Sequence, residues 1–154
     1  MSTILHSHRH HRGLVVRIHS AITCFLLLNV TLAYAQPVAR STSEGVFTEE
    51  QAQRGALAYN KNCAGCHGSA LRSTDREIPN LTGESFKRWV GGTLGEKFEM
   101  VRDTMPPRDE RSLPDEVYLD ILTFILRANK VPVGSHELKP DPEALKQITI
   151  AEPK

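Results

Sequence analysis

The sequence predicts an all-α domain, because three stretches carry apolar residues at helical spacing behind recognisable helix starts. Thr48-Glu49-Glu50-Gln51 and Thr93-Leu94-Gly95-Glu96 fit capping boxes, in which the threonine caps the helix and the fourth side chain reaches back to it. Pro114-Asp115-Glu116 opens the third stretch, with proline in the first turn and two acids at the positive end of the helix dipole. We therefore expect helices joined by loops.

The first predicted helix runs from about 49 to 61 and has one face of small residues. Ala52, Gly55 and Ala56 fall on this face together with Tyr59. A glycine inside a helix costs up to about 1 kcal/mol, so Gly55 could be a tolerated weak position. A second helix crossing at close range is the better explanation.

The other two main helices are predicted over 94 to about 104 and over 115 to about 129. A shorter helix is expected from Glu84 to Val90, where Gly91-Gly92 ends it. The side chains expected on or beside the buried faces of the two long helices are Leu94, Phe98, Val101, Val117, Tyr118, Ile121, Leu122, Phe124 and Ile125.

Residues 1–35 are predicted to be an export signal. Basic residues precede an apolar run from Ala21 to Leu32, and Ala33-Tyr34-Ala35 fits an A-x-A cleavage site, with the cut after Ala35. The run is short for a membrane span, which needs about 20 residues, although an uncleaved anchor is an alternative. We expect a periplasmic protein with no membrane span once the leader is cleaved.

The rest of the chain divides into three parts. Residues 36–46 are predicted to be a flexible lead-in, residues 47–131 the folded domain, and residues 132–154 a tail that packs on the domain or extends from it. Asp141-Pro142 could start a single helical turn in the tail. The apolar side chains that could strap the tail over the domain are Leu138, Leu145, Ile148 and Ile150.

Charge and cysteine usage exclude some classes of function. Residues 36–154 hold 16 basic and 18 acidic side chains, so the clustered basic excess of a nucleic-acid surface is absent. Beyond the leader only Cys63 and Cys66 remain, which leaves no separate structural disulfide. A domain of this size gains stability from a large apolar cofactor at its centre.

The two cysteines stand in Cys63-Ala64-Gly65-Cys66-His67, the attachment pattern of c-type haem. Each thiol can add across one haem vinyl group, and the next residue, His67, then offers a nitrogen ligand to the iron. Gly65 would let the backbone pass close to the ring. A dithiol redox pair, half a zinc site and a structural disulfide are the alternatives.

A sixth iron ligand is expected from methionine, because a thioether holds iron in both oxidation states and raises its reduction potential. Met100 falls inside the second long helix, where packing is the simpler role. Met105 stands on a loop stiffened by Pro106 and Pro107. We predict that His67 and Met105 are the axial ligands.

Together these residues resemble the class I (mono-haem) cytochromes c. Cys63–Gly68 is followed by Pro79-Asn80-Leu81-Thr82-Gly83 and then by Met105-Pro106, the order found in that family. The resemblance covers about residues 48–130. It implies a cytochrome c fold, in which the N- and C-terminal helices cross and short helices and loops surround one covalently bound haem c.

The resemblance also implies a role for one further residue, Pro79. In the family the carbonyl of the proline matching Pro79 accepts a hydrogen bond from the second nitrogen of the ligand histidine, which orients the ring. Independently of the resemblance, Trp89 is expected mainly to pack, and a hydrogen bond from its indole N–H to a haem propionate is the alternative.

These predictions favour an exported one-electron carrier and not an enzyme, because both axial positions would be filled. A weaker, dispersed resemblance to small cytochromes associated with quinoprotein alcohol dehydrogenases suggests redox partners: a dehydrogenase as donor and an oxidase or another cytochrome as acceptor. One alternative is an electron-transfer subunit fixed to a larger dehydrogenase. The other is a haem enzyme or sensor with a labile sixth ligand.

Overall fold

The computed structural model describes residues 40–153. The predicted export signal of residues 1–35, the first residues of the predicted lead-in and Lys154 lie outside this range. Within it, the chain is built from helices and one pair of very short strands, so the all-α prediction is confirmed. In chain order the elements are β1 (Arg40–Ser41), a 3-10 turn (Thr42–Glu44), α1 (Glu49–Asn62), α2 (Ala64–His67), α3 (Glu84–Lys87), α4 (Leu94–Thr104), α5 (Asp115–Ala128), α6 (Pro142–Lys146) and β2 (Ile148–Thr149).

Helix α4 begins with the predicted capping box. The Thr93 hydroxyl accepts a hydrogen bond from the Glu96 amide at 3.2 Å, and the Glu96 carboxylate accepts one from the Thr93 amide at 2.7 Å. Two backbone amides at this end of the helix, those of Thr93 and Glu96, are therefore satisfied.

The capping box predicted for α1 forms only in part. Thr48 accepts a hydrogen bond from the Gln51 amide at 3.1 Å. The Gln51 side chain does not reach back, because it is buried and pairs with the tail: its amide nitrogen donates to the Leu138 carbonyl at 3.2 Å and its oxygen accepts from the Leu138 amide at 2.9 Å.

Helices α1 and α5 cross at Gly55, as predicted. A Cβ atom at Gly55 would overlap the backbone carbonyl of Asp120. One turn further along, the rings of Tyr59 and Phe124 pack with their centroids 5.2 Å apart. Only a residue without a side chain allows the two backbones to approach this closely.

Helix α5 is buried on a wider face than predicted. It packs against both α1 and α4, and Leu119, Thr123 and Leu126 are buried in addition to Tyr118, Ile121, Leu122 and Ile125, whereas Val117 and Phe124 are only partly buried. Helix α3 is shorter than predicted: it ends at Lys87, and single turns lead on to Gly91 with φ +86°.

Residues 40–46 are not a flexible lead-in, and that part of the prediction is wrong. β1 pairs in parallel with β2, with Arg40 opposite Ile148. Thr42 is buried, and its hydroxyl accepts a hydrogen bond from the Ala151 amide at 2.9 Å. The local sequence shows no sign of this because the partner strand lies in the tail, at the other end of the chain.

The tail packs on the domain through Leu138, Leu145, Ile148 and Ile150, all of which are buried. Asp141 caps the predicted helical turn, α6, by accepting hydrogen bonds from two backbone amides. α6 lies against α4, and the Ile150 backbone exchanges hydrogen bonds of 2.8 and 2.9 Å with Gly92 and Gly91. Among the described residues, no helix is both long and apolar enough to cross a membrane.

Candidate functional site

A cavity of about 460 Å³ lies among α1, α4, α5 and the loop that follows α2. Its volume is in the range usual for small-molecule and cofactor sites. Apolar side chains supply much of the wall, among them Leu81, Val101, Leu113, Ile121 and Ile125. The structure brings every predicted site residue to this cavity: Cys63, Cys66, His67, Pro79, Trp89 and Met105.

The cysteine–histidine segment is one helical turn at the end of α1. The Cys63 amide donates to the Tyr59 carbonyl at 2.8 Å, and the His67 amide donates to the Cys63 carbonyl at 3.0 Å. This turn directs both sulfurs and the imidazole to a single cavity. Gly68 ends it with φ +73°, where a Cβ atom would overlap the Arg72 carbonyl.

The His67 ring is oriented by the backbone of the loop. Its Nδ1 lies 3.1 Å from the Pro79 carbonyl oxygen, the pairing that the family resemblance implies. A carbonyl can only accept, so this contact requires the proton on Nδ1 and leaves the lone pair on Nε2. The loop is fixed in turn by the Leu81 amide, which donates to the Leu71 carbonyl at 2.9 Å.

The setting of Cys63 does not suit a reactive redox thiol. Cys63 is half-buried, and burial, followed by the nearby Cys66, raises the pKa of its thiol to about 11. Reactive thiols have lowered pKa values, because the thiolate is the nucleophile. The cysteines are not bonded to each other, and residues 40–153 contain no cluster of three or more His, Cys, Asp or Glu that could hold a metal ion.

Both methionines of the described chain line the cavity. Met105 is half-buried at the end of α4, where its amide donates to the Val101 carbonyl at 2.9 Å. Met100 was expected to serve in packing, yet it is 43% exposed at the cavity rim. The two sulfurs therefore differ in burial and in backbone setting, although both belong to one wall.

Trp89 has a visible packing role. Its ring lies against Phe86 with centroids 5.4 Å apart, and the ammonium group of Lys97 is 5.8 Å from its ring centroid. The indole also forms part of the cavity wall.

Two residues at the site carry roles that the sequence did not reveal. The hydroxyl of the buried Tyr118 donates to the Met105 carbonyl at 2.8 Å, and the Asn129 amide donates to the Leu81 carbonyl at 2.9 Å. Tyr118 was predicted only as a core residue. Its hydroxyl could have indicated this role, because a buried tyrosine, unlike a buried phenylalanine, needs a hydrogen-bond partner.

The chemistry of the wall fits a covalently held haem. Two thiols can form thioether bonds, a histidine nitrogen and a methionine thioether can bind iron, and apolar side chains can enclose the macrocycle. All of these groups come from this chain and face one cavity.

One comparison, the family match, agrees with this chemistry. Residues 50–125 match the family model described as cytochrome c oxidase, cbb3-type, subunit III. No curated protein is significantly similar to the chain. The crystal structure of the sulfane dehydrogenase SoxCD from Paracoccus pantotrophus is similar over 74% of this chain, with 20% identity and a TM-score of 0.45. The match covers 56% of that longer chain. From the family match and the site chemistry we conclude that residues 50–125 form a c-type cytochrome domain, which is consistent with the class I type and binds covalently attached haem c.

Proposed function

We propose that this protein is an exported mono-haem electron carrier, with His67 and Met105 as axial ligands. One observation carries the proposal: the Cys63–His67 turn and Met105 line the same cavity, so one chain can supply both thioether links and both axial ligands. A six-coordinate iron has no open position for substrate, which favours electron transfer over catalysis.

The bound haem supplies one-electron redox chemistry at its iron. The chain supplies its attachment through Cys63 and Cys66, and the Pro79 carbonyl orients the imidazole of His67. The apolar wall excludes water, and exclusion of water from the site helps to set the reduction potential. Trp89 lines the cavity, and its indole N–H is a candidate donor to a propionate.

The partners we propose are redox proteins: a dehydrogenase as electron donor and an oxidase or another cytochrome as acceptor. The dispersed resemblance to cytochromes of quinoprotein alcohol dehydrogenases supports the choice of donor. A subunit fixed to such a dehydrogenase would use the same haem chemistry and differ only in how it is attached. The signal-like sequence of residues 1–35 supports periplasmic localisation after cleavage at Ala35.

Covalent attachment and export are tested together on periplasmic extracts. On a denaturing gel, we expect a haem-staining band for the wild type that is lost in the Cys63→Ala, Cys66→Ala double variant. Sequencing of the purified band should begin at Gln36. A colourless wild-type band with two thiols open to alkylation would contradict haem attachment, and the same band found only in membranes would contradict cleavage.

The ligand assignment is tested by the absorption spectrum of the oxidised protein. A far-red methionine-to-iron charge-transfer band should be present in the wild type and in Met100→Ala, and absent in Met105→Ala. Met100→Ala is the matched control because it deletes the other sulfur on the cavity wall. High-spin iron that takes up small ligands rapidly in the wild type would favour the haem enzyme or sensor instead.

A further inference from the structure

The hydroxyl of Tyr118 joins the two ends of the loop of residues 105–113, here called the methionine loop. Tyr118 lies on α5, is 1% exposed and lines the cavity. Its hydroxyl donates to the Met105 carbonyl at 2.8 Å, at the start of the loop. The same oxygen lies 3.5 Å from the Leu113 amide, at the end of the loop.

The other contacts of the methionine loop are of a different kind. The Arg111 amide donates to the Arg102 carbonyl at 3.1 Å, and the Arg111 guanidinium lies 3.0 Å from the Asp103 carboxylate. Both contacts run to α4, and the ion pair is exposed, so it contributes little to stability. Tyr118 instead ties the loop to α5, the helix that crosses α1, through a buried group.

We propose that Tyr118 is a positioning residue, which holds the Met105 backbone so that the thioether stays at the haem. The proposal rests on the proposed function, in which Met105 binds the iron. A neutral hydrogen bond contributes about 1 kcal/mol. Loss of the Tyr118 hydroxyl therefore frees the Met105 segment and makes replacement of its sulfur by an added ligand about fivefold easier.

Tyr59 provides a matched control from the other part of the site. It is also fully buried, and its hydroxyl donates to a backbone carbonyl, that of Gly68, at 2.7 Å. Tyr59→Phe and Tyr118→Phe therefore delete the same atom from the same kind of hydrogen bond. A purely structural role would give both variants the same behaviour.

The experiment is an imidazole titration of the oxidised holoprotein, followed through the far-red band. Tyr118→Phe should keep the band without imidazole and bind imidazole about fivefold more tightly than the wild type. Tyr59→Phe should lower the melting temperature comparably, with an unchanged imidazole affinity. The Met105→Ala variant gives the affinity for iron with no sulfur to displace.

The outcomes separate this proposal from the one on which it rests. An imidazole affinity of Tyr118→Phe within twofold of the wild type, or an equal rise in Tyr59→Phe, would overturn the positioning role while Met105 stays a ligand. A wild type without the far-red band would overturn the Met105 assignment itself.

A second measurement applies should Tyr118→Phe fail to accumulate with haem. Among residues 36–154 the Tyr59→Phe variant keeps Tyr118 as its single tyrosine, so growth on 3-fluorotyrosine labels that residue alone. A more acidic phenol donates a stronger hydrogen bond, and imidazole should then bind more weakly than to the unlabelled variant. An equal or tighter affinity would contradict the proposal.

Discussion

The site contains two regions that are assembled differently. In the His67 region, the attachment residues belong to one helical turn, and the Pro79 carbonyl that orients the imidazole comes from the loop that follows this turn. In the Met105 region, the ligand candidate ends α4, and its supports come from α5 and from the tail. The attachment turn therefore forms from local structure, whereas the position of Met105 depends on tertiary packing.

Because of this difference, substitutions in the tail should weaken the binding of Met105 to the iron and leave the binding of His67 unchanged. α6 packs on α4, and a Cβ atom at Gly95 would lie 2.7 Å from the Lys146 amide nitrogen. The covalent links through Cys63 and Cys66 do not rely on this contact. We can therefore test whether the stability of one region depends on the other by substituting residues in the tail, in the helix crossing and at the helix caps.

The largest expected effect comes from Gly55→Ala, because the α1–α5 crossing supports both regions. α1 leads directly to Cys63, and α5 carries Tyr118. The added methyl group meets a backbone carbonyl, so the helices must separate, and we expect the free energy of unfolding to fall by about 3 kcal/mol or more. Urea unfolding of the holoprotein measures this.

The control for the crossing is Leu57→Ala, on the same helix but 75% exposed, which should change the free energy of unfolding by less than about 0.5 kcal/mol. A loss below about 1 kcal/mol for Gly55→Ala would mean that the crossing is looser than it is in the structure.

The next effect in size is that of Leu145→Ala in the tail. Leu145 is fully buried, and truncating a buried leucine lowers the free energy of unfolding by about 3 kcal/mol. Because α6 supports α4, we also expect tighter imidazole binding in place of Met105, while haem stays covalently bound on a denaturing gel. The control is Val133→Ala, in the same tail but 47% exposed. Destabilisation with unchanged imidazole affinity would show that the tail supports the fold but not the ligand.

Much of the His67 region could be predicted from the sequence for the same reason that it is local. The spacing of Cys63, Cys66 and His67 follows from the chemistry of attachment. Outside this region, the capping box at Thr93 could be predicted because it also joins residues three positions apart. Helical periodicity with a small residue also identified the crossing at Gly55. Each of these signals operates within about one or two helical turns.

The contacts that the sequence did not predict join distant residues. Gln51 pairs with Leu138, 87 positions away, although its spacing from Thr48 fits a capping box. Similarly, the partner of β1 is in the tail. The Gln51 side chain could pair with the helix start or with the Leu138 backbone, and burial determines which pairing forms. An unpaired backbone group costs more free energy when it is buried than when it lies at an exposed helix end. Local pattern cannot show which group becomes buried.

Removing either of the two threonine caps, Thr48 or Thr93, should have a smaller effect on the free energy of unfolding. Thr48→Ala removes the cap of α1 and Thr93→Ala that of α4, and each should lower the free energy of unfolding by about 1 kcal/mol. Amide hydrogen exchange should accelerate in the first turn of the affected helix alone. Accelerated exchange at the first turn of α1 in Thr93→Ala would show that the two regions unfold together.

The smallest effect concerns the ion pairs of Arg54, which join α1 to α5 and to the tail. Its guanidinium lies 3.0 Å from Asp120 and 2.8 Å from Glu137, and the hydrogen bond from Arg54 holds the pKa of the Glu137 carboxyl below its usual range. A lowered pKa in the folded state gives stability that is present above the unfolded pKa and is lost as the pH falls through the folded pKa.

We therefore expect Glu137→Gln to melt below the wild type at pH 7, and the two melting temperatures to converge as the pH falls through the lowered pKa of the folded carboxyl, below which it is protonated in both states. The difference should be small, because the pair is exposed and screened by salt. In an Arg54→Gln background the same substitution should make no pH-dependent difference. A difference that persists there would assign the effect of Glu137 to another partner and leave the tail held to α1 by Gln51 and by apolar packing.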